Sequence, residues 1–143
     1  MGTPWIKVNP NYKEINAESQ ISDKSSVFHY YKKLIQLKKN YPIIVYGDFH
    51  PLYEESEKNY CYIRELGKEK LLVLCSFSEE EQLVELPDEF FGRKGITLIS
   101  NYDKLIDLNN CIEDEKTVLL KAYECIHHSQ ILLDVHLYLW SSC

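Results

Sequence analysis

The sequence is poor in glycine, with five glycines among 143 residues, and it lacks the glycine-rich motifs that cradle phosphate groups. It contains no GxxxxGK[ST] loop, no glycine-rich dinucleotide turn and no GxSxG nucleophile elbow. Acidic side chains outnumber basic ones, which gives a formal net charge of -6. A nucleic-acid-binding surface needs a concentration of positive charge. These absences argue against nucleotide cofactors, serine-hydrolase chemistry and a nucleic-acid partner, and we expect no cofactor.

Closely spaced cysteine pairs are also absent, because no CxxC motif occurs among the five cysteines. These residues are Cys61, Cys75, Cys111, Cys125 and Cys143. Wide, irregular gaps do not indicate a zinc site, and an odd number does not favour a secreted disulfide framework. We therefore predict buried or incidental thiols in a reducing compartment. His127 and His128 follow Cys125 closely, but neighbouring residues of a strand point to opposite faces, so we predict no metal site there.

Signals for export or membrane insertion are missing from the sequence as given. No basic segment followed by an apolar one opens the chain, and no apolar run is long enough to span a bilayer. We therefore predict a cytoplasmic protein without a membrane partner.

The most strongly patterned stretch is an amphipathic helix. We predict that it begins at Asp23 or Ser25, which can cap a helix, and ends at Asn40, because Pro42 disfavours helical geometry in the residue before it. Its apolar stripe recurs at three- and four-residue spacings and consists of Val27, Tyr30, Tyr31, Leu34 and Leu37. A helix of about four turns cannot bury such a stripe alone. We expect it to pack against another surface.

After Pro42 the pattern changes from helical to extended. Short strands are predicted at Ile43–Tyr46, about His50–Glu54, Tyr60–Arg64, Leu71–Phe77, Gln82–Leu86, Ile96–Ser100 and Thr117–Ile126. Leu71–Phe77 is apolar enough to be buried on both faces, and a hairpin turn is predicted at Leu66–Glu69. Strands at this spacing indicate a mainly β protein with an antiparallel β-sandwich. The apolar run Ile131–Trp140 would be one more strand on pattern alone.

Three stretches carry a resemblance to a known family: TPWIKVNPNYKEIN, SVFHYYKKLIQLKKNYPIIVYGDF and KEKLLVLCSFSEEEQLVELP. From Thr3 to about Ile126 the chain resembles the C-terminal end of bacterial α-glucosidases of the α-amylase superfamily, in the branch of oligo-1,6-glucosidase and trehalose-6-phosphate hydrolase. The resemblance implies that residues 1–42 are the last loop and helix of a catalytic (β/α)₈ barrel. Residues 43–126 would be the C-terminal β-sandwich, and residues 127–143 a tail without a family counterpart.

The resemblance also implies a parent enzyme that hydrolyses α-glucosidic bonds of short oligosaccharides with retention. Such catalysis requires two carboxyl groups about 5–5.5 Å apart. The acidic residues of this chain lie in polar loops and offer no credible pair. The catalytic Asp, Glu and Asp of the family are expected upstream of Met1, so no residue here is assigned a catalytic role. We expect the chain alone to be inactive and the missing N-terminal barrel to be its partner.

Candidate substrate-binding residues are Asn9, Asn11 and Tyr12, because the resemblance puts the loop Pro4–Asn16 on the active-site face of the barrel. A structural interpretation competes with this one. Asn and Pro at this spacing form turns in which Asn side chains bond nearby backbone groups.

The alternative function is a non-catalytic interaction or carbohydrate-binding module. The superfamily resemblance extends to the heavy chains of amino-acid transporters, which keep the architecture without the hydrolase chemistry. The absence of a membrane span weighs against that interpretation. A carbohydrate-binding module usually exposes aromatic platforms, whereas most Tyr and Phe residues here are predicted at strand positions that a core would occupy.

Overall fold

The computed structural model describes residues 5–91, 95–102 and 116–130. The chain divides after Asn40 into two compact units. The first unit contains a 3₁₀ helix, Pro10–Lys13, and two α-helices, α1 (Ala17–Ser22) and α2 (Val27–Asn40). The second contains the short helix α3 (Ile43–Tyr46) and the strands β1 (Asp48–Leu52), β2 (Asn59–Leu66), β3 (Glu69–Ser76), β4 (Gln82–Glu85), β5 (Ile96–Ser100), β6 (Thr117–Leu120) and β7 (Cys125–Gln130). The strand predicted at 131–140 lies outside the described residues.

Helix α2 ends at Asn40 as predicted, but its predicted start is wrong. It begins at Val27 rather than at Asp23 or Ser25. The carboxylate of Asp23 accepts hydrogen bonds from the backbone N–H and the hydroxyl of Ser25, at 2.9 and 2.6 Å, and so closes a turn before the helix. The Ser26 hydroxyl occupies the capping position instead, 3.5 Å from the backbone N–H of His29. None of the predicted stripe residues is buried, and Val27 and Tyr31 are exposed.

The second unit confirms the antiparallel sandwich. Its larger sheet has the strand order β1-β2-β3-β7-β5, and β4 pairs with β6 in a second, two-stranded sheet. All pairs are antiparallel. Side chains from both sheets form one core cluster, Cys61, Ile63, Leu72, Leu74, Val84, Leu86, Phe90, Val118, Leu120 and Ile126. In β6 the buried residues Val118 and Leu120 alternate with more exposed ones, which is the two-residue period of a strand with one face in the core.

Strand β3 lies at the centre of the large sheet and is buried on both faces, as predicted. Leu72 and Leu74 point into the core between the sheets. Leu71 and Val73 point to the opposite face, where they form a second cluster with Ile43 of α3. The predicted hairpin is also confirmed, since β2 and β3 pair up to Leu66 and Glu69 and the turn residue Gly67 has a φ of 63°.

The segment Ile43–Tyr46 is a short helix, so the predicted strand there is wrong. Pro42 precedes it with a φ of -54°, a value that suits a helix start. From β2, Arg64 donates hydrogen bonds from Nε to the Ile43 carbonyl (3.1 Å) and from Nη2 to the Gly47 carbonyl (2.7 Å). A Cβ atom at Gly47 would come within 2.6 Å of the Ile43 carbonyl oxygen, so glycine is required where the helix ends.

The predicted strand Thr117–Ile126 is two strands in different sheets. A turn at Lys121–Glu124 separates β6 from β7, and the Glu124 N–H donates to the Lys121 carbonyl at 3.1 Å. Tyr123 adopts a φ of 54° in this turn. Strand β7 then continues through His127–Gln130, four residues that the sequence analysis assigned to the tail.

Two cysteines that are far apart in sequence meet across the large sheet. Cys75 of β3 and Cys125 of β7 are directly opposite each other, and their sulfur atoms form a disulfide. The prediction of unpaired thiols is therefore wrong for these two residues. Cys61 is a free, buried thiol, and residues 111 and 143 lie outside the described part of the chain.

Candidate functional site

The three candidate sugar-binding residues lie together in and next to the 3₁₀ helix. The Asn9 carbonyl accepts the backbone N–H of Tyr12 at 3.1 Å, and the Asn9 side-chain oxygen accepts the backbone N–H of Asn11 at 3.4 Å. The Asn11 carbonyl in turn accepts the N–H groups of Glu14 and Ile15, both at 2.9 Å. The predicted turn with a local asparagine bond is therefore present, and the Asn9 side chain stabilises it.

Asn16 holds the end of this turn, a role that the sequence analysis missed. Its side-chain nitrogen donates to the carbonyls of Tyr12 (3.0 Å) and Lys13 (3.3 Å). Its side-chain oxygen accepts the backbone N–H of Ser19 at 2.9 Å and so caps α1. An Asn followed by Glu18 in the first helical turn is a recognisable N-cap signal, and it would have identified both Asn16 and α1.

The side chains of Asn11 and Tyr12 are exposed, and Tyr12 retains 51% of its accessible surface. An amide offers two donors and an acceptor, and a phenol combines a hydroxyl with an apolar ring. Together these groups match the hydroxyls and the apolar C–H face of a sugar. The 3₁₀ helix Pro10–Lys13 itself contains no carboxylate.

The rest of the first unit exposes a large amount of apolar surface. Trp5 is 93% exposed. Other large apolar side chains of the unit are exposed as well: Ile6, Val8, Ile15, Ile21, Val27, Phe28, Tyr31 and Ile35. Exposed apolar side chains mark an interaction site where they adjoin in one patch.

The histidines beside Cys125 do not converge. His127 is paired with Val73 and His128 with Leu72, residues that point to opposite faces of the sheet. The two histidines therefore lie on opposite faces of β7, as predicted. Burial lowers the pKa of His127 from its ordinary value. Within 5–91, 95–102 and 116–130, no group of three His, Cys, Asp or Glu side chains is placed to hold a metal ion, and no helix is long and apolar enough to cross a membrane.

Residues 1–47, which include the candidate loop and α2, match the catalytic domain of the α-amylase family, and residues 60–126 match the α-amylase SusG C-terminal domain. The chain belongs to the α-amylase superfamily. The order of the two matches and the antiparallel sandwich identify it with the C-terminal part of such an enzyme.

The relatives of this chain include oligo-1,6-glucosidases and a trehalose-6-phosphate hydrolase. The chain is 53% identical over 102 residues to an oligo-1,6-glucosidase of Parageobacillus thermoglucosidasius, an alignment that covers 71% of this chain and 18% of the relative. It is 44% identical over 127 residues to a trehalose-6-phosphate hydrolase of Bacillus subtilis. This alignment covers 87% of this chain and 21% of the relative. The chain thus spans about a fifth of the length of these relatives.

A solved structure of this superfamily has the same fold over nearly the whole chain. The trehalose-6-phosphate hydrolase of Bacillus licheniformis superposes with a TM-score of 0.76 at 40% identity, over 90% of this chain and 22% of the hydrolase.

Proposed function

We propose that this chain is the C-terminal part of a retaining α-glucosidase that acts on short α-glucosides. The observation that carries the proposal is the succession of a catalytic-domain match and a C-terminal-domain match along one chain. An α-1,6-linked disaccharide and trehalose-6-phosphate are the two candidate substrate types, after the names of the relatives. The proposed location is the cytoplasm, where the disulfide between Cys75 and Cys125 would be transient or redox-sensing. Hydrolase activity found outside intact source cells would contradict that location.

The role that we propose for the chain itself is structural. Residues 1–42 would complete the catalytic barrel, with the exposed apolar surface around Trp5 and α2 covered by the upstream part of the barrel. Residues 43–126 would be the C-terminal sandwich, which strand β7 extends to Gln130, and the residues after Gln130 would be an added tail. Burying apolar surface contributes roughly 25 cal/mol per Å², so a covered α2 face would stabilise the whole enzyme.

A chimaera tests this proposal. The matching C-terminal segment of the P. thermoglucosidasius relative is replaced by this chain, and release of p-nitrophenol from p-nitrophenyl α-glucoside is measured, followed by hydrolysis of isomaltose and trehalose-6-phosphate. We expect the chain alone to show no turnover, the truncated relative to lose at least about tenfold in activity, and the chimaera to regain it.

Tryptophan fluorescence in the same samples reports whether Trp5 becomes covered. In a Trp140→Phe background Trp5 is the only tryptophan that this chain contributes, because the sequence has two. The exposed indole of the isolated chain should be quenched freely by acrylamide. The same residue in the chimaera, measured with the relative's own tryptophans replaced by phenylalanine, should be protected. Turnover by the isolated chain that disappears on changing one of its carboxylates would contradict the proposal.

We further propose that Asn9, Asn11 and Tyr12 border the sugar pocket of the parent enzyme. In the active chimaera, Asn11→Ala and Tyr12→Phe should each raise KM about three- to tenfold with little change in kcat, the effect of losing one hydrogen bond of about 1 kcal/mol in the bound complex. Lys13→Ala, one residue along the same turn, is the matched control. Unchanged KM values in both variants would contradict substrate contact by this loop. Its role would then be structural, through its backbone hydrogen bonds.

A carbohydrate-binding module remains the second candidate, and one observation favours it. The expectation that aromatic side chains mostly fill the core is wrong for the outer face of the large sheet. There, Phe49 and Tyr60 are exposed, with ring centroids 5.0 and 5.6 Å from that of Tyr62. Calorimetric titration of the chain with maltoheptaose separates the two candidates. Binding that Tyr60→Ala abolishes and Phe77→Ala preserves would favour the module.

A further inference from the structure

The cross-strand cysteine pair joins β3, the central strand of the large sheet, to its neighbour β7. Cys75 and Cys125 are register partners in β3 and β7, with Cα atoms 4.1 Å apart and a sequence separation of 50. Cysteines whose Cα atoms are more than about 7 Å apart cannot be bridged without backbone movement. The two Cα atoms are well within that limit, so the strands need not move towards each other for the bond to form.

Access distinguishes this pair from the remaining described cysteine. Cys75 and Cys125 are half-buried and lie on the face of the sheet that also carries the exposed Tyr60, whose register partner is Cys75. Cys61 points into the core between the sheets and is buried. Burial raises the pKa of the Cys61 thiol, which leaves it a poor nucleophile. A small thiol or disulfide reagent can reach the pair more readily than it can reach Cys61.

We propose that Cys75 and Cys125 form a reversible thiol–disulfide switch that sets the stability of the sandwich according to the redox state of its surroundings. The pair has a sequence separation of 50, and the loop that it closes contains β4, β5 and β6. Closing a long stretch removes more conformational freedom from the unfolded chain than closing a short one. Disulfides in the cytosol are usually transient or redox-sensing, so the switch is consistent with the proposed location.

The oxidant is a low-molecular-weight disulfide, and each step is a thiol–disulfide exchange. The thiolate of one cysteine attacks a sulfur of the disulfide, forms a mixed disulfide with the protein and releases one thiolate of the reagent. The thiolate of the other cysteine then attacks the protein sulfur of that mixed disulfide and releases the second reagent thiolate. The protein loses two electrons and two protons, and the reagent disulfide gains two electrons. A dithiol reverses both steps.

The experiment compares the full chain after incubation with oxidised glutathione and with dithiothreitol. Thiols are counted with a chromogenic reagent in denaturant, the linked peptides are identified by mass spectrometry, and unfolding is followed by circular dichroism. We expect the thiol count to fall from five to three, with Cys75 linked to Cys125, and the midpoint of unfolding to rise by about 10–20 °C on oxidation. Both changes should reverse with dithiothreitol.

Variants separate this pair from the other thiols. A chain carrying Cys111→Ser and Cys143→Ser should keep the full oxidation-dependent shift. Cys61→Ser is the matched control in β2 and should also keep the oxidation-dependent shift of the unfolding midpoint. Cys75→Ser should abolish that shift. Three results would overturn the proposal: five thiols after oxidation, a disulfide that uses another cysteine, or a shift that persists in Cys75→Ser. If Cys75→Ser fails to fold, the comparison of oxidised with reduced wild-type chain still tests the proposal.

Discussion

Leu72→Ala is expected to lower the free energy of unfolding by about 3–4 kcal/mol and the unfolding midpoint by about 15–25 °C. Leu72 has no exposed surface and lies in the central strand β3, between its partners Ile63 and His128. Truncation removes apolar contacts and leaves a cavity in the core between the sheets. Strands on both sides hold the site, so it cannot collapse to fill the space. Urea denaturation followed by circular dichroism measures the change.

Leu83→Ala is the matched control for this truncation. It removes the same atoms from a leucine of β4 that is 70% exposed. Because that side chain gains little from folding, the loss should be within about 0.5 kcal/mol. Equal losses in the two variants would mean that the sandwich core is not where the structure puts it.

Glu124→Ala is expected to cost about 2–4 kcal/mol, although the residue is polar. Glu124 has no exposed surface, and its carboxyl oxygens accept hydrogen bonds from the backbone N–H of Lys121 (2.9 Å) and the hydroxyl of Ser100 (3.2 Å). Alanine would leave both donors without this partner, and each buried donor left unsatisfied lowers the free energy of unfolding by up to about 1–3 kcal/mol. The truncation would also create a cavity. Denaturation at neutral pH measures this loss.

Glu124→Gln isolates the hydrogen bonds from the volume of the side chain. Its oxygen can still accept the Lys121 N–H, while its NH₂ group meets the Ser100 hydroxyl, which also accepts a hydrogen bond from the backbone N–H of Tyr102. The expected loss is smaller, about 1 kcal/mol. If alanine is tolerated as well as glutamine, the turn at Lys121–Glu124 does not depend on this side chain.

The sequence predicted a strand and its burial correctly where the composition of the strand itself determines both. The run Leu71–Leu74 is apolar at every position, which predicts burial on both faces, and the structure confirms it. Ile43–Tyr46 has the β-branched composition of a strand, but Arg64, 21 residues away, bonds the carbonyl of Ile43 and favours a helix. Composition within a short window contains no information about such a distant partner.

The turn that divides β6 from β7 was missed because the residue with positive φ is Tyr123, not glycine. Several distant groups hold that residue in place: the Asn101 amide donates to the Tyr123 carbonyl at 2.8 Å, and the Tyr123 N–H donates to the Ser78 carbonyl at 3.1 Å. Tertiary contacts of this kind can impose a conformation that the residue type alone disfavours.

For the candidate site, the sequence predicted the asparagine turn because Asn9 bonds a neighbour two residues away. It missed the role of Asn16, whose side chain joins the turn to α1. Both features are local, so the second was within reach of sequence reasoning. The partner of the exposed surface around Trp5 was not, since a residue pattern records that a face is apolar and not what covers it.

The position of β7 beside β3 has a consequence for synthesis on the ribosome. The hairpin of β2 and β3 emerges early, but the strand that pairs with the other edge of β3 begins only at Cys125, 50 residues after Cys75. At about 5–20 residues per second, translation needs roughly 2.5–10 s to supply it. During that interval the nascent chain has an open strand edge at the apolar residues Leu71–Leu74, the kind of edge that is prone to aggregation and that chaperones protect.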